Sequence, residues 1–403
     1  MTRTYRLAMV TRIHLPEAAA ASFRLAGVER ALRDAGHRVT VLTTQVPGKT
    51  PKDIAGVIVK RWPVLRDKSG YVRGYIQYMS FDIPAFFRIL ALGPTDAALI
   101  EPPPTTGVVS RVACAIRRIP YVWYAPDVWS DAAASTSAPR PVVRAVRAME
   151  SFAMRGAQAV IAINDGVAER AKALGARDIR IIPNGIDTDV FRADREPLST
   201  EQWAALTGEK VSEVPPFLLY AGTASEWQGA GIFVDAFHRI HEDFPQARLV
   251  FLGQGSDWET IRHQAQQFEW VGDNPVTVAS GVPVEAAAQW QRTARACLVS
   301  IIPGQGYDFA YPTKIFASLA CGTPIIYAGV GPAVDDISTH DLGYVSSYEV
   351  RDVAQAMSKM LSDVSEGSQT EHYRSWVVAH RSLQATGQRV RDVLEEVAAR
   401  TRL

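Results

Sequence analysis

The chain has 403 residues, a length that suits two or three ordinary domains. Hydrophobic residues make up 47% and charged residues 21%, which excludes a disordered chain, a collagen-like repeat and a coiled coil. The 43 Lys and Arg stand against 42 Asp and Glu, a net charge of +1, so no global field draws the protein to nucleic acid.

Cys114, Cys297 and Cys321 lie far apart and form no metal-ligand pair. A disulfide framework does not suit a chain of this size, and a reducing cytosol is the expected setting. The apolar stretch after Met1–Arg6 is broken at Thr11 and Arg12, too short for a signal-peptide core. No run is long enough to span a membrane.

Short apolar runs alternate with amphipathic segments, the pattern of βα units and parallel sheets. In the first half the expected strands are 7–10, 39–42, 57–59, 97–100, 121–124, 159–162 and 179–182. Residues 20–35 read as a helix closed by Gly36, and 142–154 as a second. A polar, Pro-containing linker follows from Arg192 to Pro216, with one short helix at 201–206. Alternation then resumes with strands at 217–220, 249–252, 276–278, 297–302 and 325–327. Fully apolar runs suit strands covered on both faces. The expected fold class is α/β, two Rossmann-like doubly wound domains in series, 1–193 and 194–380. Ligands of such sheets sit beyond the carboxyl ends of the strands, here in a central cleft that the two domains face. A C-terminal helix at about 381–403 is expected to pack back on the first domain.

The most informative stretch runs from Tyr311-Pro312-Thr313-Lys314 to Gly322-Thr323-Pro324-Ile325-Ile326. Pro in the first turn and Gly at the end predict a helix of about two and a half turns. It follows an apolar strand and the loop Pro303-Gly304-Gln305-Gly306. Its free amides, dipole and Lys314 would make an anion site, or else form an ordinary cap beside a solvated lysine.

This stretch resembles the donor-nucleotide motif P-S-K-x-x-E-x-x-A-x-G-x-P-V of family 4 retaining glycosyltransferases of the GT-B fold. The likeness continues elsewhere in the chain. Ala26 to Thr43 is similar to the family's first helix and second strand. Asp127-Val128-Trp129-Ser130-Asp131 resembles its D-L-W-P-E segment, and Pro183-Asn184-Gly185-Ile186-Asp187 with Phe191 its P-N-G-V-D-x-x-x-F signature. Tyr220-Ala221-Gly222-Thr223 and Gln228-Gly229 look like the Y-x-G loop. Five such motifs in the right order carry more weight than any one of them.

The chain also departs from the family. The motif's second glutamate, usually the ribose ligand, falls on Ala317, and its first on Phe309. The basic residues flanking the Y-x-G loop become Glu226 and Gln228. The Gly-Gly after the first strand becomes Ala18 to Ala21, and a histidine before the aspartate becomes Pro126.

The resemblance implies a cytoplasmic, metal-independent, retaining hexosyltransferase that uses a nucleotide diphosphate sugar as co-substrate and needs no cofactor. It places the donor in the second domain, at Gly222, Thr223, Gln228, Gly306, Tyr311, Thr313, Lys314 and Ala317. The base would be read by backbone near Gly281 and Val282. Acceptor residues would be His14, Ser22, Glu101 and Asp127. Asp127 and Lys314 carry the catalytic roles, Lys314 by neutralising the departing phosphate. The acceptor would be an envelope or lipid-linked saccharide or a small natural product, with at most peripheral membrane contact. His14 and Glu101 have plainer alternatives, as surface decoration and as a solvated strand-end charge. Asn184-Gly185 reads as a hinge turn. Arg140, Arg144, Arg147 and Arg155 read as a solvated face rather than a stripe for an anionic lipid or a phosphorylated acceptor, and Trp227 and Trp290 as packing groups, with Trp227 in a loop that could stack on substrate. The alternative function is a non-catalytic GT-B protein, a sugar-nucleotide sensor or partner subunit. A dehydrogenase is disfavoured because no G-x-G-x-x-G follows the first strand.

Overall fold

The apolar runs form parallel strands in two separate sheets. The computed structural model describes residues 3–400 apart from 18, 52, 68–69, 135–138 and 364–368. Ala18 of the alanine run, and residues 401–403 of the expected last helix, therefore lie outside the described residues.

One compact unit takes the chain up to Gly185 and from Leu383 onward; the other is Ile186–Ser382. The first contains β1 (Arg6–Val10), α1 (Ala20–Asp34), β2 (Arg38–Thr44), β3 (Ile58–Trp62), α2 (Tyr75–Leu90), β4 (Ala97–Ile100) and α3 (Pro104–Arg117). It continues with β5 (Tyr121–Ala125), α4 (Trp129–Ala134), α5 (Arg140–Gly156), β6 (Ala159–Ala162), α6 (Asp165–Ala173) and β7 (Ile179–Ile181). The strand order is β3-β2-β1-β4-β5-β6-β7, all parallel. The order reverses between β1 and β4, which makes the carboxyl ends of those two strands the natural crevice. β4 (AALI) and β6 (AVIA) are buried at every residue because helices cover both faces.

The second unit contains α7 (Thr200–Thr207), β8 (Phe217–Thr223), a 3₁₀ turn at Glu226–Gln228, α8 (Ile232–Ile240), β9 (Arg248–Gln254), α9 (Trp258–Gln267), β10 (Val276–Ser280) and α10 (Val284–Thr293). β11 (Ala296–Ile301), α11 (Lys314–Ala320), β12 (Ile325–Gly329), α12 (Ala333–Thr339), β13 (Gly343–Ser346), α13 (Val350–Ser362) and α14 (Thr370–His380) complete it. Its order is β10-β9-β8-β11-β12-β13, reversing between β8 and β11.

The last helix, α15 (Leu383–Arg400), packs on α1 within the first unit. Val390, Leu394 and Val397 join Leu25, Val28 and Leu32 in one buried cluster. The two helices approach so closely that a Cβ on Gly387 would lie 2.3 Å from the Gly27 carbonyl oxygen. His37 Nε2 lies 2.8 Å from a Glu395 carboxylate oxygen across the same contact.

Three local expectations need correction. α11 is shorter than the sequence suggests, starting at Lys314 rather than near Tyr311. Its entry is a tight turn in which Ile315 N–H donates to Pro312 O and Phe316 N–H to Thr313 O, and it stops at Gly322, whose φ is 81°. The sequence signalled neither α2 nor β13. α2 contains Pro84 and exposes Ile76, Ile83 and Phe87, which blurs its apolar stripe. β13 is a half-buried edge strand with only Tyr344 and Val345 to mark it.

Candidate active site

In the second unit a cavity of about 600 Å³ opens at the carboxyl edge of the sheet, a volume typical of small-molecule sites. Its walls come from the ends of four strands. β8 supplies Gly222 and Thr223, β9 supplies Gly253 and Gln254, the turn after β10 supplies Gly281 and Val282, and the segment after β11 supplies Tyr311, Thr313, Lys314 and Ala317. The β8 and β9 ends are pressed together. A Cβ on Gly253 would fall 1.9 Å from the Gly222 carbonyl oxygen, so no side chain fits there.

Lys314 is the charge of this cavity. Its ammonium donates to the Thr223 carbonyl at 3.1 Å and stands 3.6 Å from the Tyr220 ring centroid. Among the described residues it has no carboxylate within ion-pair distance. Desolvation pushes its pKa down to about 7, opposed by Cys297. A half-buried cation without a counter-ion is an arrangement that an incoming anion completes.

Other predicted donor residues occupy different roles in the same wall. The Gln228 side-chain oxygen accepts from the Ser225 N–H at 2.9 Å, capping the 3₁₀ turn. The Tyr311 hydroxyl donates to Asp336 at 2.8 Å, and Arg381 pairs with the same carboxylate at 2.8 Å, so the hydroxyl is already engaged. Ala317 is buried in the wall without a polar group. Gly306 does not line the cavity.

Sequence reasoning left Trp227 between a packing group and a ring able to stack on substrate, and passed over Gln291 as a ligand contact. Trp227 lines the cavity and stacks on Tyr307, ring centroids 4.4 Å apart; its place next to Gln228 in the Y-x-G loop was the available signal. Gln291 lines it from α10, where nothing in the sequence separates it from a surface glutamine. Trp290, its neighbour, packs in the core as expected.

The first unit gathers charge at the carboxyl ends of β1, β4 and β5. Glu101, just past β4, is buried and accepts from Arg24 Nη2 at 2.6 Å and from the Thr11 hydroxyl at 3.4 Å. This replaces the expectation of a solvated strand-end charge. Arg24 also lies 4.7 Å from the Tyr124 ring. Asp127 follows β5 and is exposed. Desolvation by the surrounding loops holds its carboxyl above the ordinary aspartate range, helped by Glu101 and opposed by Arg24, Arg12 and Trp129. Glu150, on the buried face of α5 beside Ala153 and Met154, accepts from the backbone N–H of Trp129 at 2.8 Å and of Ser130 at 3.0 Å. It thereby fixes the chain just after Asp127. Its spacing from those apolar residues was the signal.

His14 and Ser22 stand apart from that group. His14 is buried, with Nε2 at 2.7 Å from Glu29 and Nδ1 at 2.9 Å from the Leu15 carbonyl oxygen, so it is no surface decoration. Ser22 is buried and donates to the Glu17 carbonyl at 2.5 Å. Both tie the loop after β1 to α1. Arg140, Arg144, Arg147 and Arg155 are exposed along α5, as expected of a solvated face. Among the described residues no group of three His, Cys, Asp or Glu is arranged to hold a metal ion, and no helix is long and apolar enough to cross a membrane.

Residues 24–190 match Glycosyltransferase Family 4, and residues 215–363 match Glycosyl transferases group 1. The chain belongs to these glycosyltransferase families. The glycosyltransferase has the GT-B fold, and its solved structural neighbours are remote in sequence. Sucrose-phosphate synthase from Thermosynechococcus elongatus is 16% identical with a TM-score of 0.70, covering 98% of this chain and 100% of that one. HepE from Anabaena in complex with UDP-glucose is 16% identical with a TM-score of 0.65, covering 97% and 100%. WaaG, a glycosyltransferase involved in lipopolysaccharide biosynthesis, is 16% identical with a TM-score of 0.63, covering 96% and 99%. No curated protein matches the sequence.

Proposed function

We propose that this glycosyltransferase moves a sugar from a nucleoside diphosphate sugar to an acceptor hydroxyl, with retention at the anomeric carbon and without a metal ion. The observation that carries the reading is the uncompensated Lys314 ammonium in the wall of a cavity of about 600 Å³. A related fold, HepE, has been solved with UDP-glucose, which supports a nucleotide sugar as donor.

In this reading the diphosphate lies against Lys314 and the ends of β8 and β9. As the bond from the anomeric carbon to the phosphate oxygen breaks, negative charge grows on the departing nucleoside diphosphate. Lys314 stabilises that charge, a preorganised electrostatic contribution. The acceptor hydroxyl attacks from the face the phosphate leaves and gives its proton to that phosphate. Asp127 and Glu101 of the first unit orient the acceptor, an envelope or lipid-linked saccharide or a small natural product. A sugar-nucleotide sensor is favoured by the departures from the family pattern at Ala317, Phe309 and Pro126.

A thermal-shift and titration series with UDP, GDP and ADP, followed by transfer assays with the matching nucleotide sugars, tests the reading. Binding with turnover supports it; binding without turnover over a broad acceptor panel leaves the sensor. Absence of binding by every diphosphate overturns both.

Two outcomes are specific. Asp127→Asn is expected to slow transfer about tenfold or more with nucleoside diphosphate affinity unchanged, since the two groups belong to different units; lost nucleotide affinity measured by calorimetry would reverse that assignment. The second concerns pH. Free Lys314 loses its proton as pH rises through about 7, whereas a bound diphosphate favours the charged form. Binding above neutrality must therefore take up a proton, and affinity must fall as pH rises from 7 toward 9. Calorimetry in buffers of different ionisation enthalpy reads the uptake; equal heats across buffers would remove Lys314 from contact with the phosphate.

A further inference from the structure

Gln291 is the one side chain in the cavity wall with a sealed polar atom left unpaired among the described residues. The residue is 4% exposed, it lines the cavity, and its Oε1 has no hydrogen-bond partner. Its backbone is held in place. The Thr323 hydroxyl donates to the Gln291 carbonyl at 2.6 Å, and one helical turn earlier the Cys321 thiol donates to the Ala288 carbonyl at 3.5 Å. These bonds clamp the end of α10 against the end of α11, so the amide is positioned as well as buried.

Part of the cavity wall is apolar. Phe191, Val282, Ala287 and Ala317 line the same cavity and offer no side-chain donor to the Gln291 oxygen. A buried acceptor without a donor costs the folded protein free energy that an apolar residue of the same volume would not. Such a group is explained when a ligand completes it. Rotation about χ3, a soft torsion with two broad wells, turns either the oxygen or the amide nitrogen toward the cavity.

We infer that Gln291 accepts a hydrogen bond from the nucleoside part of the donor, through a ribose hydroxyl or a base N–H, and so selects the nucleotide that Ala317 has no polar group to hold. The inference rests on the nucleotide-sugar reading above and adds to it a residue and a chemistry. Lys314 and the β8 end hold the charged half of the ligand, and Gln291 holds the neutral half.

The test is a pair of apolar variants, Gln291→Leu and Gln291→Met, read in two ways. The first reading is the melting temperature without ligand, which should rise because the unpaired acceptor is gone. The second is titration with UDP, GDP and ADP, where the affinity of the best diphosphate should fall about fivefold to tenfold, the worth of one hydrogen bond. Stability up with affinity down is a signature that a merely structural glutamine does not give.

Two further titrations locate the donor. If the partner is a ribose hydroxyl, the 2′-deoxy or 3′-deoxy diphosphate loses affinity for the wild type and not for the variants. If it is a base N–H, the deoxy analogues behave alike and the variants lose discrimination between UDP, which carries an N3–H, and CDP, which does not. Wild-type protein that binds no diphosphate overturns the nucleotide reading itself. Wild-type protein that binds while both variants bind equally well, or variants that lose stability together with affinity, overturn the role of Gln291 alone. Where Gln291→Leu does not fold, Gln291→Met, unbranched like glutamine, carries the same measurements.

Discussion

Lys314→Ala is expected to lower glycosyl transfer about a hundredfold to a thousandfold, with the protein still folded. That is the usual loss when one preorganised contact to a developing anion is removed, about 2.7–4 kcal/mol of barrier. The same substitution should leave the ligand-free protein more stable near neutrality. The folded-state pKa is depressed from 10.5 to about 7, so the unfolded chain holds this proton more tightly. The resulting cost to folding is greatest below pH 7 and fades as pH rises toward 10.5. Lys314→Met, which keeps the length of the stem over Tyr220, separates charge from packing. Transfer assays and melting curves between pH 6 and 9 check both statements. Undiminished turnover in a folded variant would exclude Lys314 from the chemistry.

Arg24→Ala is expected to have the largest effect on stability. Arg24 and Glu101 are both buried, 5% and 4% exposed, with their charged groups 2.6 Å apart. Removing the guanidinium leaves Glu101 a buried carboxylate with only the Thr11 hydroxyl for company. Breaking a buried pair from one side costs about 3–5 kcal/mol, whereas replacing both partners by apolar residues is often neutral. A drop in melting temperature of about 6–20 °C follows for a unit of this size, and Arg24→Met combined with Glu101→Leu should recover most of it. A small drop in the single variant would mean that Glu101 reaches water once Arg24 is gone.

The fold was legible where composition carries it. Runs such as Ala97–Ile100 and Ala159–Ala162 are apolar at every position because both sheet faces are covered, and they appear as strands with the bounds read from sequence. α2 was not legible, because Pro84 and the exposed Ile76, Ile83 and Phe87 break its periodicity. The site was legible where a motif carries a charge, as at Lys314, or a glycine with a positive φ, as at Gly222 (φ 120°). It was illegible where function rests on what a side chain lacks. Gln291 matters through a missing hydrogen-bond donor and Lys314 through a missing counter-ion, and neither absence is written in the residue itself. His14 is the opposite case, since the loop after β1 promised a ligand contact and Glu29 already occupies its ring nitrogen.

The helix that closes the first unit is made after the second unit. Between Gly185 and Leu383 the ribosome delivers the whole second unit, while the α1 face of the first sheet waits with Leu25, Val28 and Leu32 uncovered. The second unit is continuous and has everything it needs to fold as it emerges; the first does not. Synthesis order and folding order are thus inverted for the two halves. A chain stopped just before Leu383 would carry a finished second unit attached to a first unit with an open apolar face, the kind of intermediate on which chaperones and proteases act.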